Sequence, residues 1–189
     1  MDKFQNKYRI SSARLQNWNY GFPGLYFITV CTKNREHYFG EITNGEMALN
    51  GLGYYVQLEW IKSPEIRPDM NLELGEFVVM PNHFHGIVII GENEFNKQDG
   101  VVETQCIASL PRRPTIPPTN KFGPQSKNLG SIMRGFKSSV TTHSKILNVD
   151  FGWQARFHDH IIRSHDEFVR ISNYILNNPR NWKDDKFYN

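Results

Sequence analysis

Residues 25–32 (LYFITVCT) form an apolar run rich in β-branched and aromatic side chains, which predicts a buried strand. Residues 38–42 and 46–49 flank Thr43-Asn44-Gly45. Asn-Gly marks a hairpin turn, because both residues tolerate positive φ. Residues 52–61 put Leu52, Tyr55, Leu58 and Ile61 at helical spacing, and the stretch stops before Pro64. Residues 72–80 and 83–90 read as two strands joined at Pro81-Asn82. Residues 129–147 read as a helix with Ile132, Phe136, Val140 and then Ile146 or Leu147 inward. Residues 157–162 make a last strand. A final helix over 166–177 turns Phe168, Ile171 and Ile175 inward and is capped near Ser164 or His165.

This order of strands and helices predicts an α+β fold. It matches a ferredoxin-like βαββαβ sandwich with an antiparallel sheet and an extra C-terminal helix. The chain shows no repeat and no second-domain boundary, so residues 1–189 read as one domain. Residues 91–127 are polar and contain Pro111, Pro114, Pro117, Pro118 and Pro124, which predicts a long exposed loop.

Composition narrows the class. With 39% hydrophobic and 22% charged residues, the chain reads as an ordinary globular protein. No run approaches the ~18 apolar residues of a membrane span. The N-terminus lacks an apolar targeting core, and two cysteines, Cys31 and Cys106, make no disulfide framework; both point to a cytoplasmic protein. Net charge is only +3, but it is unevenly placed. Between Glu103 and Asp150 there is no acidic residue, while Arg112, Arg113, Lys121, Lys127, Arg134, Lys137 and Lys145 fall inside. A stretch of one sign attracts polyanions. A solvated loop followed by a basic helix face would look the same.

The candidate chemistry begins at Asn82-His83-Phe84-His85-Gly86. Strand side chains alternate, so His83 and His85 share a face, their Cβ atoms roughly 6.5–7 Å apart, close enough to hold one ion. His-x-His alone also fits two inert, hydrogen-bonded histidines. On the last helix, Tyr174 and Asn178 stand at i and i+4, on one face. Pro179 disfavours α geometry at Asn178, so the helix is expected to stop there with the Asn178 amide free to turn toward a ligand. Taken singly, a packed tyrosine and an asparagine helix stop explain both.

The segments VVMPNHFHGIVII, LGSIMRGFKSSVT, WQARFHDHIIR and YILNNP occur in that order. Their combination resembles the single-tyrosine HUH transposases, among them the REP-associated tyrosine transposases, over roughly residues 20–180. The resemblance implies a ferredoxin-like core, hairpin-bearing single-stranded DNA as substrate, and a divalent metal, Mg²⁺ or Mn²⁺. It assigns the metal to His83 and His85, with Asn178 completing the site, and makes Tyr174 the nucleophile. Cleavage would leave a free 3′-hydroxyl and a 5′-phosphotyrosine, so rejoining needs no ATP. The absence of a Walker-type loop is consistent with that. The implied setting is the bacterial cytoplasm, at the nucleoid. A homodimer is compatible with the resemblance but not required by it. Neither the base that deprotonates Tyr174 nor the hairpin recognised is legible.

Arg134 and Lys137 are i, i+3 neighbours on the basic helix and, with Lys145, are expected to grip phosphates. Arg112 and Arg113 extend the charge into the proline-rich loop, which is longer than the resemblance requires. His158 and His160 also share a strand face, and a DNA-contacting role suits them better than a rival metal site. Trp153 and Gln154 read as core. Two other classes compete: a ferredoxin-like nucleic-acid-binding module without catalysis, and a metal-dependent phosphodiester hydrolase with no covalent step. The first lacks a recognisable RNP pattern. Tyr174 separates the second from a transposase.

Overall fold

The computed structural model describes residues 18–97 and 126–188, together with the backbone of a two-strand ladder, β1 (Lys3–Phe4) with β2 (Lys7–Tyr8). The expected loop at 91–127 lies mostly outside the described residues, as do Arg112, Arg113 and Cys106.

The central sheet is antiparallel and has four strands: β3 (Gly24–Cys31), β6 (Leu72–Met80), β7 (His83–Ile90) and β8 (His158–Ile162). Their spatial order is β6-β7-β3-β8, so β7 and β3 are the inner pair. The fold is α+β. The Asn-Gly signal is a real hairpin: β4 (Gly40–Thr43) pairs with β5 (Glu46–Leu49), and Asn44 and Gly45 take φ of 55° and 78°. Helix α1 (Gly51–Ile61) follows, capped by the Asn50 side chain accepting from the Gly53 amide. A single turn, α2 (Ser63–Ile66), leads toward β6. Helix α3 (Leu129–Ile146) opens with a reciprocal cap between Asn128 and Ser131. Helix α4 (His165–Asn177) is capped by Ser164 and has Asp166 and Glu167 in its first turn, where the helix dipole favours anions.

The two faces of the sheet are covered by different helices. Phe84 and Val88 of β7, with Tyr26, Ile28 and Val30 of β3, join α1 and α3 through Leu52, Val56, Trp60, Ile132 and Phe136. Ile87 and Ile162 face the other way and pack on Ile171 and Ile175 of α4. Because β7 alternates strictly, His83 and His85 fall on the α4 side with Ile87.

The helix stripes differ from expectation in two places. On α1 the buried set is Leu52, Val56 and Trp60, while Ile61 is 46% exposed. This helix is apolar on most sides, so periodicity alone could not choose the inward stripe. Gly86 makes room for that stripe: a Cβ built there would lie 2.8 Å from the Phe84 ring and 2.9 Å from the Trp60 ring, so a side chain at this position would displace one or both. On α3, Ile146 and Leu147 sit past the last core contact and are 70% and 42% exposed. Among the described residues, no helix is long and apolar enough to cross a membrane.

Candidate active site and metal centre

His83 and His85 occupy an inner strand, and both are nearly inaccessible, at 0% and 1% exposure. Their rings approach to 4.5 Å between centroids. Each is held from behind. His83 Nδ1 lies 2.8 Å from Asn82 Oδ1, and His85 Nδ1 lies 2.8 Å from the Thr29 hydroxyl of the neighbouring strand. Burial pushes His83 down to about 3, with the Lys186 charge adding to the effect. Burial lowers His85 well below its ordinary value too, and a charge on His83 would lower it further. Both rings are therefore neutral near pH 7, the state in which imidazole offers a lone pair to a metal.

Tyr174 lies on α4 and is half-exposed. Its hydroxyl stands 3.2 Å from His85 Nε2 and donates to Asp185 Oδ2 at 3.2 Å. Burial raises the phenol pKa, and the Asp185 charge raises it further. Phe27 of β3 packs edge-on to the ring at 6.3 Å, which fixes its side of the helix against the sheet.

Asn178 joins this cluster, by a route the sequence did not show. Pro179 disfavours α geometry there, and α4 does end at Asn177. Asn178, its C-cap, nevertheless keeps φ −58° and ψ −42°, and the Asn181 amide reaching the Asn177 carbonyl carries the turn onward. Asn178 is 2% exposed. Its Nδ2 donates to Asp185 Oδ2 at 2.7 Å, and its Oδ1 has no hydrogen-bond partner. His83 Nε2 is likewise buried without a partner. The Asn178 side chain nevertheless faces the His83 ring, so both atoms sit in one buried cluster where a single bound ion would satisfy them.

Asp185 is the residue that sequence reasoning missed. It lies eleven positions after Tyr174, beyond the last predicted helix and without a motif around it. A short 3-10 turn (Trp182–Asp184) brings it back over the site. Ligand atoms of His83, His85 and Asp185 lie within 4.8 Å of one another. Phe187 follows, with its ring 4.5 Å from that of His83 and its amide donating to Asp185 Oδ1 at 2.7 Å. Trp182 and Phe187 also pack on Met80, so the segment is anchored.

The other expected contacts are dispersed. His158 and His160 pair with Thr29 and Phe27, so they stand on the face of the sheet that carries His83 and His85, and both are exposed. His160 Nε2 is 2.7 Å from Glu167. The basic helix lies across the sheet, since Phe136 of α3 packs on Phe84 at 5.3 Å. Arg134 is exposed and lines a cleft of about 520 Å³ with Arg67, Asp69 and Lys127. Lys145 is also exposed. Lys137 is engaged internally: its ammonium donates to the Gln154 and Arg156 carbonyls at 2.7 and 2.9 Å. Trp153 packs on Phe39 and Phe151 as expected of a core residue, whereas Gln154 is exposed.

No protein-family model matches the chain. A solved structure of a REP-associated tyrosine transposase bound to a REP hairpin is similar, with 19% identity and a TM-score of 0.52. The match covers 90% of this chain and 73% of that one, and at this identity it speaks for the fold. A Deinococcus radiodurans structure aligns at a TM-score of only 0.34, too low to bear on the question. In sequence, an uncharacterized protein of Haemophilus influenzae (strain ATCC 51907 / DSM 11121 / KW20 / Rd) is 40% identical over 181 residues, covering 94% of this chain and 92% of that protein. The chain therefore belongs to the same family as that Haemophilus influenzae protein.

Proposed function

We propose that this chain is a metal-dependent single-strand DNA transposase or nickase that cuts and rejoins DNA through a 5′-phosphotyrosine on Tyr174. The observation that carries this reading is the Tyr174 hydroxyl, 3.2 Å from His85 Nε2 and from Asp185, beside the buried lone-pair atoms His83 Nε2 and Asn178 Oδ1. The sheet order and the two helices on one face agree with a ferredoxin-like sandwich, the core expected of single-tyrosine HUH enzymes. The fold likeness to a tyrosine transposase supports the same reading.

The donor set fits a divalent ion. His83 and His85 supply nitrogen, Asn178 Oδ1 is an open amide oxygen, and Asp185 is an anionic oxygen within reach. Two nitrogens favour Mn²⁺ over Mg²⁺, which prefers oxygen shells. When bound, the ion supplies positive charge that offsets the anionic phosphodiester and the departing 3′ oxygen.

The chain's own residues do the rest. The Tyr174 oxygen attacks phosphorus, and the phenol proton passes to the Asp185 carboxylate that already accepts its hydrogen bond. The bond from phosphorus to the 3′ oxygen breaks, and that oxygen takes a proton from water. Rejoining runs backward: a 3′-hydroxyl attacks the phosphotyrosine, and Tyr174 recovers its proton from Asp185. Phe187 and Trp182 cover His83, so on this reading a phosphate reaches the pair only when Phe187 moves aside.

DNA is assigned first to the exposed His158 and His160, which share the sheet face of the histidine pair. Arg134 and Lys145, with Arg112 and Arg113, would meet flanking phosphates. Lys137 is demoted, because its ammonium already has two acceptors. The test is incubation with labelled hairpin-flanked single strands and Mn²⁺, followed by mass spectrometry of Tyr174. A nucleotide adduct on Tyr174 is expected. Cleavage that persists in Tyr174→Phe, with no adduct, would favour a metal-dependent hydrolase. Binding without cleavage would favour a nucleic-acid-binding module.

A further inference from the structure

We infer that Asn82 is a positioning residue for the metal site, holding His83 in the tautomer that keeps its proton on Nδ1 and presents a bare Nε2. The inference deepens the proposed function and rests on it for its purpose, though its test does not.

Asn82 fills the two-residue turn between β6 and β7 and is completely buried. Its carbonyl accepts from both the amide and the hydroxyl of Thr32, each at 2.9 Å, so the turn cannot swing. Its side chain faces the Phe187 carbonyl and the His83 ring, partners of different kinds. Nδ2 lies 2.8 Å from the Phe187 carbonyl, and Oδ1 lies 2.8 Å from His83 Nδ1. A backbone carbonyl only accepts, so the atom facing it must be the amide NH₂. The other terminal atom is then the oxygen, which also only accepts. His83 Nδ1 must therefore donate, and in the neutral ring Nε2 is left with its lone pair. The direction is forced from the Phe187 carbonyl through Asn82 to the ring.

On the far side of the ring, His83 Nε2 is buried and makes no hydrogen bond, and the Asn178 side chain faces the ring. A proton on Nε2 would block the position that a metal needs. His85 has other neighbours, the Thr29 hydroxyl beside Nδ1 and the Ile28 backbone, and none of them is Asn82. The link also reaches the carboxylate: the Phe187 amide donates to Asp185 while its carbonyl receives Asn82. One residue of the C-terminal segment thus aligns both sides of the cluster.

The experiment reads the His83 tautomer in metal-free protein, from long-range ¹H–¹⁵N spectra of imidazole-labelled protein, and Mn²⁺ affinity by calorimetry without DNA. Wild type is expected to show the Nδ1–H form. Asn82→Leu, close in size but without an acceptor, should lose that form and weaken Mn²⁺ by about 10- to 100-fold. Asn82→Asp keeps an acceptor toward His83 and should restore the Nδ1–H form, although it loses the donor to Phe187. Thermal unfolding of both variants separates this from a purely structural role, which would lower stability in each and leave the tautomer alone. An Nε2–H form in wild type would overturn the inference, and that measurement stands even if Asn82→Leu does not fold. So would a folded Asn82→Leu with the wild-type tautomer and Mn²⁺ affinity. Absence of a Tyr174 adduct would sink the transposase reading without touching these spectra.

Discussion

The hydroxyl of Tyr174 on α4 lies 3.2 Å from Nε2 of His85 on β7, across 89 residues of sequence. The strand places the imidazole by alternation, and the helix places the phenol by packing Ile171 and Ile175 on Ile87 and Ile162.

Removing the nucleophile should separate chemistry from binding. Tyr174→Phe deletes one half-exposed hydroxyl and no core contact. Nicking should fall by about 10³-fold or more in a gel assay, while affinity for hairpin single strands and the melting temperature stay near wild type. Retained nicking would exclude Tyr174 as the nucleophile.

Asp185→Asn should lower both the Tyr174 pKa and the nicking rate. The Asp185 charge is among the causes that hold the phenol of Tyr174 above its ordinary value, after burial. Losing it should lower the Tyr174 pKa in metal-free protein, read by ultraviolet titration of phenolate. Nicking should nevertheless fall, because the proton acceptor is gone. A faster variant would mean that Asp185 only restrains the tyrosine.

Metal should stabilise the fold through the histidine pair. At a concentration of about 100 times its dissociation constant, Mn²⁺ contributes about 2.7 kcal/mol. Thermal shift should register this in wild type and lose it in His83→Ala and His85→Ala. An undiminished shift in both would place the ion elsewhere.

Acid should unfold the metal-free protein early. A histidine depressed to about 3 in the folded state binds its proton more readily when unfolded. The stability it contributes is complete above the unfolded value near 6.5 and is lost as pH falls from there toward 3. For His83 the loss reaches about 2 kcal/mol by pH 5, and His85 acts in the same direction. Denaturant titrations from pH 7.5 to 5 should show the decline, and Mn²⁺ should steepen it by competing with protons. A flat profile would mean that the histidines are not buried in solution.

Arg134 and Lys137 should part company despite their i, i+3 spacing. Arg134→Ala should weaken DNA binding and reduce the slope of log affinity against log salt by about 1. Lys137→Ala should instead cost about 0.5–1.5 kcal/mol of stability, since the Gln154 and Arg156 carbonyls lose their donor. Equal salt slopes for the two variants would show that both are phosphate contacts.

Much of the scaffold was already in the one-dimensional pattern. The two middle strands were bounded correctly at 72–80 and 83–90, because β-branched runs and a two-residue turn are local signals. The same-face histidines followed from strand alternation, which needs no partner. The Ser164 cap follows an equally local rule. Which stripe of α1 faces inward did not follow, because it depends on Gly86 leaving room for Trp60. The fate of Lys137 was hidden too, since its acceptors are backbone atoms supplied by a loop 17 and 19 residues away. The nearness of Tyr174 to His85 was decided by the packing of α4 on the sheet, and Asp185 and the Asn82 link by the C-terminal segment folding back over it. Local periodicity encodes which side of an element a residue takes, whereas contact between elements depends on packing that no stretch of sequence contains by itself.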